Sequence, residues 1–511
     1  MNAGRVTHAL SGCDPTTRIV GVEADASGRA RVWRRLDHGV ELIEQRFPNW
    51  FLTTSLDLLD HLPARIQNAD WLRANHGRVS TSEPLVVVDL DLPPGVHDDA
   101  YRFLVLTTNL RETETTLLET ASKRFGDEAG SLHDLRGLVL TWDPVEQFLM
   151  LSGQTFFKDM SFDGLHRFQF DLETTGLNED RDRIFMISMF DSTGWHACLD
   201  TLDRSEDEVL RRFVQIVRER DPDVLENHNI FGFDLAFLAR RAGRLGVELA
   251  LGRDGSEPRL ETDVFDSGER AEPFLRWRVA GRQVIDTQHA VRQFAVRAPD
   301  MRRHGLKDAA RYFGFARGDR EYVPGAEIWS TFQSDPDRVR RYAADDVEEV
   351  DGLSRRLLPA GFELAQLLPR SYERVAADTG AAALWEPLLV RAYLHEGHAI
   401  VAPRPRVQHL EPARAELLVS GMVGPAVRAN AHPLLPCILA DRQVASANDV
   451  LGVMPVTMAE LLAQGTSAGP RQLSSAAHTC LASPGLFTDP DAAAQASAIA
   501  RQYMTAFLED L

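Results

Sequence analysis

The most constraining feature of the sequence is RFQFDLETTGL at residues 167–177, where an alternating segment ends in two acids and a turn. Phe168 and Phe170 alternate with other residues, which is the period-two pattern of a strand with one buried face. Asp171 and Glu173 stand two positions apart, so a strand directs both carboxylates to the same face. The Thr-Thr-Gly that follows turns the chain away. The segment therefore predicts a pair of carboxylates at the end of a sheet strand.

The residues that follow predict a mixed sheet flanked by helices. RIFMISMFDSTGWHACL gives two strands around a turn, residues 205–219 have helical spacing, and DPDVLENHN leads from a short strand into a loop. FDLAFLARRAGRLG is an amphipathic helix ending in Gly, and residues 336–357 form a charged helix. Strands followed by alternating helices are typical of an α/β domain.

Charge limits how such a chain binds its partners. The 511 residues include 56 basic and 75 acidic side chains, and the formal net charge is −19. A generic polycation is excluded, so any nucleic acid must bind at a focused site. Residues 291–320 are locally basic, with eight basic residues against three acids, and form either a guide for a single strand or a solvated helix face.

Cysteine spacing and hydropathy limit the kinds of metal site and the cellular location that we expect for the chain. The four cysteines form no CxxC pair, which argues against a zinc ribbon, an iron–sulfur cluster and a disulfide framework. Charged residues interrupt every apolar stretch before the roughly 18 residues that a membrane span needs. The N-terminal MNAGRVTHAL lacks a secretion-signal pattern. We expect a cytoplasmic protein without a membrane partner.

Two further segments supply carboxylates that could join Asp171 and Glu173. Asp234 stands at the start of a helix, and Tyr342 and Asp346 are four residues apart on another helix, where they share a face. Each motif alone has a simple structural explanation, such as a helix N-cap for Asp234. Together they are what phosphodiester hydrolysis by two divalent metals about 4 Å apart requires.

The three motifs resemble those of a known family. FDLETTGL, HNIFGFDLAFL and YAADD are similar to the Exo I, II and III motifs of the proofreading 3′–5′ exonuclease of family B DNA polymerases. That domain belongs to the DEDDy group on a ribonuclease H-like fold. The segments GRQVIDTQHAVRQF and HGLKDAARYFGF are similar as well. The likeness is most specific from residue 167 to 357.

The resemblance implies a role for each matching residue. Two Mg²⁺ or Mn²⁺ ions would be held by four carboxylates, those of Asp171, Glu173, Asp234 and Asp346, while Tyr342 would position the attacking water. The 3′-terminal nucleotide would be seated by Leu172, Thr174, Asn229 and Phe233. Asp345 is an adjacent acid, and Asp346 fits the spacing of the motif better.

The C-terminal part resembles the polymerase palm, but several residues of the polymerase motifs are replaced. In the motif A region, Asn430 stands where the family has a metal-binding Asp, and Leu435 stands where it has Tyr. An amide cannot replace a charged metal ligand. The motif B region also lacks its lysine, because Lys307 is the last lysine of the chain. Asp489 and Asp491 flank a proline and more simply begin a helix. Polymerase activity is predicted to be lost.

These observations lead to one main hypothesis and two alternatives. We expect an N-terminal α+β domain (1–160), a ribonuclease H-like α/β exonuclease domain (161–365) and a degenerate palm and fingers remnant (366–511). The predicted function is a metal-dependent 3′–5′ exonuclease that trims single-stranded or frayed DNA 3′ ends, with replication or repair proteins as partners. The alternatives are a non-catalytic scaffold for such proteins and a 3′–5′ exoribonuclease.

Overall fold

The computed structural model of the chain describes most residues between 12 and 503. The described residues are 12–402 without 61, 76, 80–82, 93–99, 127–128, 136, 267–270, 297, 299, 319 and 378–380, then 434–464 without 445 and 447, then 477, 486–487, 492, 495–496, 498–500 and 502–503.

The described residues up to position 160 form two sheets with helices against them. Their strands are Ile19–Ala24 (β1), Arg29–Leu36 (β2), Gly39–Arg46 (β3), Asn49–Thr53 (β4), Arg65–Asn68 (β5), Leu85–Asp89 (β6), Ala100–Tyr101 (β7), Phe103–Thr107 (β8) and Val139–Leu140 (β9). Their helices are Ala69–Asn75 (α1), Leu110–Phe125 (α2) and Pro144–Ser152 (α3). Strands β1, β2 and β3 form an antiparallel sheet, and the second sheet has the order β5-β6-β8-β4-β9.

A second five-stranded sheet carries the acidic motifs. Its strands and their helices are Arg167–Thr174 (β10), Ile184–Asp191 (β11), His196–Asp200 (β12), Glu206–Arg220 (α4), Val224–Asn227 (β13), Leu235–Leu245 (α5), Arg259–Asp266 (β14), Ala271–Arg278 (β15), Gln283–Asp286 (β16), Thr287–Ala295 (α6), Leu306–Phe313 (α7), Ile328–Ser334 (α8) and Pro336–Leu357 (α9). The order is β12-β11-β10-β13-β16, while β14 and β15 form a separate hairpin. Strand β10 pairs antiparallel with β11 and parallel with β13, so the sheet is mixed, as predicted.

The rest of the described chain is mainly helical and packs against the N-terminal sheets. Its elements are Pro359–Ala365 (α10), Tyr372–Ala377 (α11), Ala381–Glu396 (α12), Ile400–Val401 (β17), Leu434–Arg442 (α13) and Val453–Gln464 (α14). Strand β17 pairs with β7, and one hydrophobic core combines side chains from both regions, including Trp50, Trp385 and Met458. Apolar residues far apart in the sequence therefore bury one another.

The segments predicted around the acidic motifs have the expected structures. The helix predicted at 336–357 spans those residues, and Gly246 ends α5 in the left-handed conformation that glycine adopts without strain. Asp286 accepts a hydrogen bond from the Gln288 amide and caps α6. Among the described helices, none has the length and apolarity needed to cross a bilayer.

Candidate active site

Strand β10 sorts its side chains between two environments. Phe168, Phe170 and Leu172 are buried in the core beneath α4 and α5. The alternate residues, including Asp171 and Glu173, lie on the opposite face, against which α9 packs. The period-two pattern of the sequence thus separates a hydrophobic face from a carboxylate face within one strand.

Helix α9 brings the third carboxylate to this face. Asp346 and Tyr342 are both buried and lie one helical turn apart. One carboxylate oxygen from each of Asp171, Glu173 and Asp346 lies within 4.8 Å of the other two, a spacing that can hold a metal ion. We call these three residues the carboxylate cluster. Asp345, the adjacent acid, instead faces Arg317 at 3.7 Å.

The carboxylate cluster is electrostatically strained. Burial, followed by the charge of Asp346, raises the pKa of Asp171 to about 7. The pKa of Glu173 lies well above its ordinary value because of burial and the charges of Asp171 and Asp346. Asn227 offsets part of this by donating a hydrogen bond from Nδ2 to Oδ1 of Asp171 at 3.1 Å. Buried acids that repel one another favour either protons or a bound cation.

Asp234 approaches the cluster from a different element. It ends the turn Ile230–Asp234 and immediately precedes α5, and its side chain caps no amide of that helix. It is 1% exposed, and its Oδ1 has no hydrogen-bond partner within the described part of the chain. Burial and then the charge of Asp171 raise its pKa well above the ordinary value. Asp234 lies outside the three-residue cluster itself, yet its charge interacts with it.

Two basic residues contact Asp346, Lys307 from α7 and Arg320 from the loop after it. Nζ of Lys307 lies 3.3 Å from Oδ2 of Asp346 and donates a hydrogen bond to the Tyr342 hydroxyl. Arg320 pairs with Oδ1 of Asp346 and also with Glu349. Burial still raises the pKa of Asp346, although both basic groups lower it.

The residues expected to seat a nucleotide are differently placed. The Leu172 side chain lies in the core on the far face of β10, because it alternates with Asp171 and Glu173, so only its backbone remains for a ligand. Thr174 donates from its hydroxyl to the Gly176 carbonyl at 2.7 Å. Asn229 has a left-handed φ of 71°, and its backbone N–H donates a hydrogen bond to Asp286 Oδ1 at 2.8 Å, which supports this conformation. The Phe233 ring is partly exposed and packs on Phe237.

Sequence reasoning did not assign Lys307 and Arg320 to the site. Lys307 is one of only three lysines among 56 basic residues, and this rarity is the one sequence signal that marks it. Arg320 carries no such signal, because it is one arginine of a basic stretch. Both reach Asp346 only through the tertiary arrangement of α7, the loop that follows it, and α9.

The positions expected to mark a lost polymerase are mostly outside the described residues. Asn430, Asp489 and Asp491 belong to that group, as does most of the motif B region. Leu435 lies in the first turn of α13, where it is partly buried against the hydrophobic core that the N-terminal and C-terminal regions share.

Comparisons with known proteins agree with this geometry. Residues 168–357 match the RNase_H superfamily. The chain is 30% identical over 220 residues to a DNA polymerase of Pyrococcus glycovorans, which covers 43% of this chain and 26% of that protein. It is 30% identical over 271 residues to DNA polymerase 2 of Aeropyrum pernix, covering 49% and 31%. The matched regions are thus less than a third of the length of these relatives.

The likeness of the fold extends over nearly the whole chain. The structure of the family B DNA polymerase from the hyperthermophilic archaeon Pyrobaculum calidifontis superimposes with a TM-score of 0.67 and 19% identity, covering 96% of this chain and 71% of that one. The predicted ribonuclease H-like fold is confirmed for residues 168–357, and the fold of the chain is similar to that of a family B DNA polymerase. The superfamily match supports a nuclease-type function for the residues that carry the carboxylate cluster.

Proposed function

We propose that this protein is a metal-dependent 3′–5′ exonuclease that removes nucleoside monophosphates from single-stranded or frayed DNA ends. The observation that carries the proposal is the convergence of Asp171, Glu173 and Asp346 within 4.8 Å, with the buried Asp234 beside them. These acids come from a strand, a helix start and a second helix, and folding brings them together.

The residues fit two divalent cations. Carboxylate oxygens are the preferred ligands of Mg²⁺ and Mn²⁺. Among the described residues, Oδ1 of Asp234 has no hydrogen-bond partner, and the raised pKa values of Asp171 and Glu173 reflect buried carboxylates that repel one another, a situation that a bound cation relieves. When bound, such ions would supply polarisation of the scissile phosphate and activation of the attacking water.

The protein's own groups around the cluster suit the other tasks of hydrolysis. The Tyr342 hydroxyl beside Lys307 can orient the attacking water, and the Lys307 ammonium offsets charge that develops on the phosphate. Asn229 and Phe233 offer an amide and a partly exposed ring to the 3′-terminal nucleotide, and Thr174 borders the same strand end. These roles are part of the proposal.

We propose DNA as the substrate because of the similar proteins, and cleavage from the 3′ end because of the motifs. The similar proteins of Pyrococcus glycovorans and Aeropyrum pernix are DNA polymerases. The three motifs resemble those of a proofreading exonuclease and occur in the same order. We propose the domain boundaries 1–160, 161–365 and 366–511, with replication or repair proteins as partners of the last region.

We also propose that polymerase activity is absent. Asn430 occupies the position of a metal-binding Asp, and an amide is a poor substitute for a charged ligand. Leu435, in place of the family's Tyr, packs against the hydrophobic core that the N-terminal and C-terminal regions share. A primed template with all four deoxynucleotides should therefore show no extension, and any extension would overturn this part.

The central experiment is a nuclease assay on a 5′-labelled single strand with Mn²⁺. The wild-type protein should give a ladder that shortens from the 3′ end, and Asp346→Asn should give none. Asp345→Asn is the matched control, because that acid faces Arg317 instead of the cluster, and it should retain activity. No ladder from either DNA or RNA would overturn the enzyme, and a ladder from RNA alone would establish the exoribonuclease.

A further inference from the structure

A short segment without regular secondary structure, Arg320–Tyr322, is held against α9 beside the carboxylate cluster. Arg320 pairs with Asp346 and Glu349 on the buried side of α9. The Glu321 carboxylate accepts a hydrogen bond from Arg338 Nε at 3.0 Å, and Arg338 also donates to the Tyr322 carbonyl at 3.3 Å. Adjacent residues of the segment are thus tied to one helix, which fixes the direction of the next side chain.

That next side chain, Tyr322, projects outward between two cations. It is 51% exposed, and its hydroxyl accepts a hydrogen bond from Arg311 at 2.7 Å. The Arg311 guanidinium lies 5.3 Å from the ring centroid, and Nζ of Lys307 lies 5.6 Å from it. An aromatic ring that is half open and flanked by positive charge is a surface on which a nucleic acid base stacks.

Lys307 fixes where this ring is relative to the site. The same Nζ that lies 5.6 Å from the Tyr322 ring is 3.3 Å from Asp346 Oδ2 and bonds to the Tyr342 hydroxyl. Tyr322 is therefore adjacent to the carboxylate cluster, on the basic side of it. A strand whose terminal phosphate reaches the cluster would pass this ring.

A purely structural role explains Tyr322 poorly. Its hydroxyl bonds to Arg311, which is itself 52% exposed, so the pair is solvated and contributes little to stability. The segment is already held by Arg320, Glu321 and the Tyr322 carbonyl, without the ring. In a chain with a net charge of −19, a local aromatic and cationic surface beside the site is the kind of focus that strand binding requires.

We propose that Tyr322, supported by Arg311, is a stacking platform for a base of the single strand upstream of its 3′-terminal nucleotide. The proposal rests on the exonuclease function proposed above and names a further residue that binds its substrate. Tyr322 would hold the strand in register, and the chemistry would remain with the cluster. Its removal should therefore affect substrate binding more than the rate of hydrolysis.

The test compares the full-length protein with Tyr322→Leu and Tyr322→Phe. Loss of the ring in Tyr322→Leu should raise KM for a single strand about 10-fold and leave kcat nearly unchanged, because stacking acts on binding. Tyr322→Phe should stay close to the wild type, because it keeps the ring faces. Tyr312→Leu is the control: Tyr312 is 40% exposed, but its ring packs on Phe294 and Phe313.

A fluorescence measurement locates the base without cleavage. In an Asp171→Ala background, strands carrying 2-aminopurine at successive positions from the 3′ end should show quenching at one upstream position, and Tyr322→Leu should abolish it. If Tyr322→Leu changes neither KM nor quenching, the proposed platform is wrong. A ladder from the wild-type protein would still support the exonuclease function in that case. An equal rise of KM in Tyr312→Leu would overturn it too. If the wild type cleaves no strand, the proposed function fails, and position-specific, Tyr322-dependent quenching alone then supports or overturns the platform.

Discussion

Asp234 and Asp449 are both buried aspartates that precede a helix, and their oxygens have different surroundings. Asp449 is 2% exposed and accepts hydrogen bonds from the Val453 and Met454 amides at 3.1 and 2.8 Å and from the Tyr393 hydroxyl at 3.1 Å. Asp234 is equally buried, makes no capping bond to its helix, and leaves Oδ1 without a partner among the described residues.

Burial alone therefore does not distinguish a structural acid from a functional one. Burial raises the pKa of both Asp234 and Asp449. The difference lies in the surroundings: Asp449 is satisfied by the start of the helix that follows it, whereas Asp234 caps no amide of its helix, has Asn227 as a side-chain hydrogen-bond partner, and faces the charge of Asp171. A buried oxygen with no donor is costly to keep, and a cation is the partner that offsets this cost.

The largest effect expected from this comparison is on activity. Asp234→Asn keeps the shape of the side chain but removes its charge, so we expect the rate of strand cleavage to fall about a thousandfold. The unfolding free energy should stay the same or rise, because a strained charge is removed. Single-turnover assays and urea denaturation measure the two quantities. A loss of stability that matches the loss of activity would place Asp234 with Asp449 as a structural acid.

The second prediction compares Asp449 with Asp346 of the carboxylate cluster, because the groups that donate hydrogen bonds to these two acids differ in charge. Asp449 is met by neutral groups, whereas Asp346 is met by the Lys307 ammonium, which also bonds to Tyr342. Lys307→Met should lower kcat about 100-fold by removing charge next to the water-orienting hydroxyl. Lys307→Arg is the charge-retaining comparison. A change in KM alone would show that Lys307 only binds the strand.

The third prediction is the reverse of the first: a change at Asp449 should lower stability and leave activity unchanged. Asp449→Ala leaves the Val453 and Met454 amides without their acceptor, so the unfolding free energy should fall by about 2 kcal/mol. Activity per folded molecule should not change. Asp441→Ala, an exposed acid on the preceding helix, should alter neither quantity. If Asp449→Ala loses cleavage while its denaturation curve stays in place, the distinction between the two acids fails.

The sequence predicted those parts of the site that depend on local periodicity. Alternation along β10 indicates that Phe168 and Asp171 face opposite sides, and helical spacing places Tyr342 beside Asp346. The same alternation directs the Leu172 side chain into the core, although the family resemblance assigns Leu172 to the nucleotide. Sequence patterns do not place Lys307 and Arg320 at the site, because their contacts to Asp346 arise when α7 and the loop that follows it pack against α9, which no short-range pattern encodes. Similarly, the core shared by Trp50 and Trp385 depends on segments more than 300 residues apart.

The smallest expected effect is a pH dependence of stability that separates the cluster from Asp449. The pKa of Asp171 is about 7 in the folded protein, against about 4 for an ordinary aspartate. Between these values the folded state binds more protons than the unfolded state, so stability without metal falls as pH rises toward 7.

Mg²⁺ needs the ionised carboxylates, so it should raise Tm by a few degrees more at about pH 8 than at about pH 6. Asp171→Asn should flatten both trends, whereas Asp449→Ala should lower Tm and leave the Mg²⁺ response intact. An equal Mg²⁺ shift at both pH values in the wild type would mean that the cluster is already ionised and that its acids do not repel one another as the structure indicates.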